Sequence, residues 1–254
     1  MTRQRAVTLT RLAWLLGAIA VLEALCRSGM ISPLSLIPPS EMAVALGGML
    51  WSGEMTADMI QTFSTVAIAL TLSIVIGLVL GVAVHALPRL SRGLDPLLAS
   101  YYSIPTFVFY PLFVAIFGLN TIPLIVLGMA FGVPAMMMST MNGLDRIPRV
   151  LLRTAKAHHL GRIRTVALIV LPCAVPYLFT GVKLALAYAF IGIIAGEFIL
   201  ASGGLGHAIA YAYDGFDSRT MYALMLFVLG LVTALNMTLH AWEGRLMRRR
   251  IGHD

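Results

Sequence analysis

The sequence predicts an all-α integral membrane protein of about six transmembrane helices, with a cationic helical segment on the cytoplasmic side between helices four and five. Three observations predict it. The 254-residue chain is 59% hydrophobic and 11% charged, where a soluble domain carries roughly 25% charged residues. Its mean hydropathy is +0.90. Long charge-free runs alternate with clusters of Lys and Arg, and the clusters fall on one side of the path the chain would trace.

A span needs about 20 apolar residues. The first helix falls within residues 1–30, where "MTRQRAVTLTRLAWLLGAIAVLEALCRSGM" has a basic start and an apolar run from Arg11 to Arg27, interrupted by Glu23. It lacks a small-x-small cleavage site, so a retained helix is expected rather than a removed signal. No Asp, Glu, Lys or Arg lies between Asp58 and Arg89, which places a second helix over roughly 60–84. The charge-free stretch between Asp95 and Asp145 has room for two more. "GLNTIP", Gly118 to Pro123, supplies the turn chemistry that divides them. A fifth helix runs from about Val170 to Gly196 and a sixth from about Thr220 to Trp242. The chain reads as a single transmembrane domain over 1–254, with a five-helix core over 58–243 and the cytoplasmic segment over 145–171.

The cations orient this map. Of the 18 Lys and Arg, 15 precede helix one or follow helices two, four and six. The opposite side receives Arg27 and Arg219, and Lys183 falls inside helix five, where its long stem suits snorkelling toward the inner headgroups. Cationic loops stay in the cytoplasm, so both termini are expected inside. The outer loop before helix two carries Glu41, Glu54 and Asp58, and its amphipathic second half suits the membrane surface. Cys26 and Cys173 lie far apart, in or beside apolar segments, and read as small core residues rather than a disulfide.

The segment between helices four and five gathers six cations from Arg146 to Arg164 against one carboxylate, Asp145. Its composition predicts one or two short helices outside the bilayer. Two roles stay open on composition alone: a polybasic surface on anionic lipid, or a dock for a cytoplasmic partner. Ala155, Ala157 and Gly161 are the small residues a helix needs to enter a groove, which a purely electrostatic patch would not require.

A resemblance bears on that choice. Leu171–Pro172 with "AVP" just after, "GVKLALAYAFIGIIAGEFILASGGLGHAI" from Gly181 to Ile209, and Phe216–Asp217 resemble the permease subunit of type I ABC importers, in its nitrate/sulfonate/taurine branch. "LIPPSEMAVAL", "LDPLLASYYSIPTFVFYPLFVAIFGLN" and "GLDRIPRVLLRTAKAHHLG" agree more loosely, so the likeness covers most of residues 36–250. Such permeases carry Glu-Ala-Ala, three residues, Gly, then a run ending in Leu-Pro. Counted back without gaps, those four positions fall on Arg153, Thr154, Ala155 and His159. Honouring Gly161 instead places them on Ala155, Lys156, Ala157 and Gly161, with a two-residue deletion before Leu-Pro. Neither register supplies the glutamate.

The resemblance implies an inner-membrane permease working as a homodimer. A cytoplasmic ABC ATPase dimer would grip one coupling helix from each copy and bind the ATP and Mg; this chain would bind neither. A periplasmic or lipid-anchored binding protein would deliver the solute. The expected docking residues are Arg153, Ala155, Lys156, Ala157, His158, His159, Gly161 and Arg162. The solute class it implies is a small anion such as a sulfonate or nitrate, with vitamin precursors and aromatic acids as alternatives.

Other chemistry has little footing. Neither Lys156 nor Lys183 follows a P-loop glycine pattern, so the chain is not expected to be an enzyme. His158 and His159 point about 100° apart on a helix and have no Cys, Asp or Glu three or four residues away, which argues against a metal site. "SGGLGHA" follows an apolar helix with no βαβ unit, so its glycines read as a tight loop rather than a dinucleotide fingerprint. No feature calls for nucleic acid, and the remaining expected partner is membrane lipid. Glu197, at the outer end of helix five, is either an interfacial cap or a gate facing the path. Tyr101, Tyr102 and Phe107, near the inner part of helix three, and Met137, in the "AMMMST" run, are the other path candidates. An ion-driven secondary transporter would need ionisable groups near the midplane, and helices two, three, four and six have no Asp, Glu, Lys or Arg.

Overall fold

The computed structural model describes residues 2–32, 35–101 and 103–251, and all regular structure among them is helical. Helix α1 (Thr2–Arg27) covers the expected first span. The amphipathic outer segment forms α2 (Pro39–Ser52), opened by Pro39 at a position whose N–H would go unused anyway. Then come α3 (Thr56–His85), α4 (Pro88–Tyr101), α5 (Tyr110–Phe117), α6 (Ile122–Asp145), α7 (Arg149–Ala157), α8 (Arg162–Thr165), α9 (Leu171–Leu200), α10 (Leu205–Asp214) and α11 (Ser218–Ile251). Four helical stretches among the described residues are long and apolar enough to cross a membrane: Thr56–His85, Ile122–Asp145, Arg162–Asp214 and Ser218–Gly244.

The third expected helix is not one rod. It divides into α4, a short 3₁₀ turn over Thr106–Phe109, and α5. Pro105 is the cause: it offers no N–H to a preceding turn and biases Ile104 away from helical geometry. The division at "GLNTIP" stands where expected. α5 ends at Phe117, Gly118 takes a φ of 80°, and the Ile122 N–H donates to Asn120 Oδ1 at 2.7 Å as α6 begins. Helix α10 is the second departure. The glycine-rich stretch is a loop only over 201–204, after which the chain coils again and folds back on α9.

The core is a three-helix stack with α6 between α3 and α9. Small residues let the backbones approach, as membrane interfaces require when water supplies no drive between helices. A Cβ on Gly81 would sit 2.6 Å from Thr140 Cβ, one on Gly77 2.6 Å from Met136 Cβ, and one on Gly181 2.7 Å from Ser139 Cβ. Val66 and Ala69 of α3 meet Phe190 and Ile193 of α9. Tyr110 of α5 packs on Leu124 and Leu127 of α6. Met137 is buried with Val84 and Met141, so the structure gives it a packing place between α3 and α6 rather than one lining a path. At the outer end Met55, Leu205, Ile209 and Leu224 draw α10 and α11 together.

Candidate functional site

Two candidate features lie one at each end of α9. The inner one is the cationic segment. Pro148 precedes α7, and the helix ends at His158. The Leu160 N–H then donates to the Ala155 carbonyl at 2.9 Å, and His159 adopts a φ of 50°. That is a Schellman closure, whose left-handed position usually holds glycine. His159 is the residue on which the ungapped register places the family's glycine. Gly161 has a φ of −63° and needs no such freedom. The left-handed position therefore falls on the residue that the ungapped register assigns to the glycine, and not on Gly161.

From Arg162 the chain is helical without a break to Leu200: α8, a π-helical turn over Val166–Val170, then α9. Pro172 accounts for the widened turn, because its ring would collide with the carbonyl four residues back in a regular helix. Arg153, Lys156, Ala157, His158, His159, Gly161 and Arg162 are exposed. Ala155 is a correction: it is 2% exposed and faces the chain's own body, so it cannot enter a partner's groove. The outward apolar side chains are instead Val150, Leu151 and Ile163, the last 86% exposed. Sequence reasoning missed them by weighing small residues and charges.

The outer feature centres on Glu197, which is fully buried. The Thr62 hydroxyl donates to its carboxylate, 2.9 Å from each oxygen, and the Gly206 N–H donates to Oε2 at 3.0 Å. The Leu205 N–H donates to Thr62 Oγ1 at 2.8 Å, and the Gly204 N–H to Asp58 Oδ1 at 2.9 Å. The first turn of α10 has no side-chain cap of its own because Gly204 stands at its N-cap. Helices α3 and α9 supply the acceptors its free N–H groups need. Gly204 has a φ of 98°, and a Cβ there would lie 2.4 Å from the Glu197 carboxyl carbon. Of the two roles open to Glu197, this geometry displays the capping one.

The remaining path candidates do not converge on Glu197. The Tyr101 hydroxyl donates to the Ala130 carbonyl at 2.8 Å, tying α4 to α6. Phe107 lies at an apolar groove of about 670 Å³ between α9 and α11, lined also by Phe190, Ile194, Phe198 and Val228. Tyr102 lies outside the described residues.

Comparison with known proteins agrees with this architecture. The family described as "Binding-protein-dependent transport system inner membrane component" matches residues 73–252. The nitrate import permease protein NrtB of Synechococcus elongatus is 30% identical over 72% of this chain, a match spanning 66% of that protein. The taurine transport system permease protein TauC of Escherichia coli is 27% identical over 85% of this chain and 81% of its own length. A chain of the MetNI methionine ABC transporter, in an inward-facing conformation, superposes with a TM-score of 0.61 at 22% identity, covering 80% of this chain and 97% of that one, which speaks for the fold. The chain belongs to the binding-protein-dependent transport system inner membrane component family, as an ABC importer permease of the nitrate/sulfonate/taurine branch.

Proposed function

We propose that this chain is the membrane-spanning subunit of an ATP-driven importer, that two copies enclose the path, and that a separate ATPase grips the segment Arg149–Arg162. A binding protein outside the membrane delivers the solute. The observation that carries the reading is the unbroken helix from Arg162 to Leu200. It joins a cationic, outward-facing docking surface to the α3–α6–α9 stack. A displacement at the dock enters a rod about 45 Å long in its α9 part alone, and packed helices respond to such a push as two-state bodies. The solute is a small anion. The relatives named for nitrate and taurine support a small solute with an anionic oxo group, and the scarcity of charged residues in the spans leaves selection to the binding protein.

The test is co-purification with the cognate ATPase from detergent-solubilised membranes. Val150→Asp and Arg153→Glu each lie on the exposed face of α7 and should lower ATPase recovery by about tenfold while membrane insertion stays at the wild-type level. Undiminished recovery with both substitutions combined would overturn the dock.

A further inference from the structure

Lys183 does not snorkel. It forms an ion pair with Glu243, joining α9 to the inner part of α11, with the two side chains 22% and 16% exposed. His240 Nδ1 lies 3.6 Å from the same Glu243 oxygen. Beside the pair, Phe179 of α9 meets Trp242 of α11 edge to face, with ring centroids 5.9 Å apart. An isolated charge within a span is costly, so each of these two groups needs the other as its partner.

We infer that Lys183 and Glu243 are a positioning pair that makes α11 follow α9 when the docking segment moves. The inference rests on the importer function proposed above. Displacement at α8 enters α9 directly, because the chain is helical from Arg162 to Leu200, and α7 joins α8 through the short turn over 158–161. Helix α11 has no such continuity with the dock. Its outer end forms one wall of a cleft of about 580 Å³, where Asp217, Thr220 and Leu224 face His207 and Tyr211 of α10. The opposite wall is held to α9 through Glu197. Among the described residues the side-chain cluster between α10 and α11 is apolar, Leu205 and Ile209 on Leu224, and apolar contact is non-directional. The ion pair is directional. It gives α11 the same rigid reference at its inner end that Glu197 gives α10 at its outer end, so both walls of the cleft take their position from one rod.

Spin labels test this in the ATPase-bound protein in lipid, with Cys26 and Cys173 replaced by Ser. Labels at Leu184 of α9 and Met237 of α11 read the distance between the helices, and a label at Ile163 reads the distance between the docking segments of two copies. On trapping with ATP and vanadate, the Ile163 distance should shift by about 2 Å or more while the Leu184–Met237 distance holds. In K183M/E243Q, which leaves no lone charge, the Leu184–Met237 distance should shift by about 2 Å or more on trapping. The reversed pair K183E/E243K should hold it again. A constant distance in K183M/E243Q, or a reversed pair that behaves like the neutral one, overturns the inference. An Ile163 distance that ignores trapping instead removes the importer reading, and this inference with it.

Discussion

The Thr62 hydroxyl accepts a hydrogen bond from Leu205 and donates one to Glu197, so a single side chain closes the circuit between α3, α9 and α10. Thr62→Val keeps the shape and removes both bonds, leaving a buried N–H and a buried carboxylate short of partners. That substitution should cost about 1–3 kcal/mol, and Thr62→Ser should cost little; thermal unfolding in detergent separates them. Glu197 was legible in the sequence as an ionisable group at an interfacial position. Its partner was not, because Thr62 is 135 residues away and nothing in a run of apolar residues marks one threonine as a cap acceptor. Asp217 shows a local form of the same chemistry. Its carboxylate accepts from the Thr220 N–H at 3.1 Å at the start of α11, and these bonds to the Thr220 hydroxyl and backbone hold it below the usual carboxylate range. A depressed folded-state value means the stabilisation is present above the unfolded value of about 3.9 and is lost as pH falls through the folded one. Asp217→Asn should therefore flatten the stability profile of the wild type below about pH 4, and Asp217→Ala should cost about 1 kcal/mol at neutral pH.

Elements were legible where one physical demand dominates. The spans announce themselves because bilayer hydrocarbon tolerates no stretch of unpaired backbone and few charges, and Thr56–His85 answers with a run free of Asp, Glu, Lys and Arg from residue 59 onward. The broken third helix was hidden because Pro105 sits in sequence as apolar as a true span, and hydropathy does not register a missing donor. Helix α10 was hidden because its cap comes from two other helices. Closeness of packing was invisible too, since a glycine in a helix reads equally as weakness or as contact. At Gly81 it is contact: a Cβ would also lie 2.9 Å from the Met137 carbonyl oxygen, which cannot rotate away. Gly81→Ala should force α3 off α6 and cost about 1–3 kcal/mol, whereas Gly93→Ala, with nothing within 4 Å, should be neutral or stabilising. The end of α7 carries the opposite expectation. His159 holds a φ of 50° without being glycine, so His159→Gly should raise thermal stability by about 1 kcal/mol.

At the scale of the whole molecule the governing quantity is the charge asymmetry. Fifteen of 18 cations belong to one side of the expected path, and an arrangement that put them outside would oppose the bias that fixes orientation during insertion. The folded chain supplies sites that report the outcome. Trp51, at the end of α2, is 93% exposed; Phe216, between α10 and α11, is 84% exposed; Ile163, in α8 of the cationic segment, is 86% exposed. With Cys26 and Cys173 replaced by Ser, a single cysteine at each position can be challenged in intact cells stripped of their outer envelope by a maleimide that does not cross the membrane. Cysteines at 51 and 216 should react at once, and the one at 163 only after permeabilisation. Reaction at 163 in sealed cells would place the docking segment outside, away from any ATP-hydrolysing partner. Protection at all three would instead mean that these surfaces are covered. The two failures differ because the first reverses the molecule and the second only hides it. Three exposed positions on opposite ends of one bundle therefore suffice to decide which way the rod from Arg162 to Leu200 points.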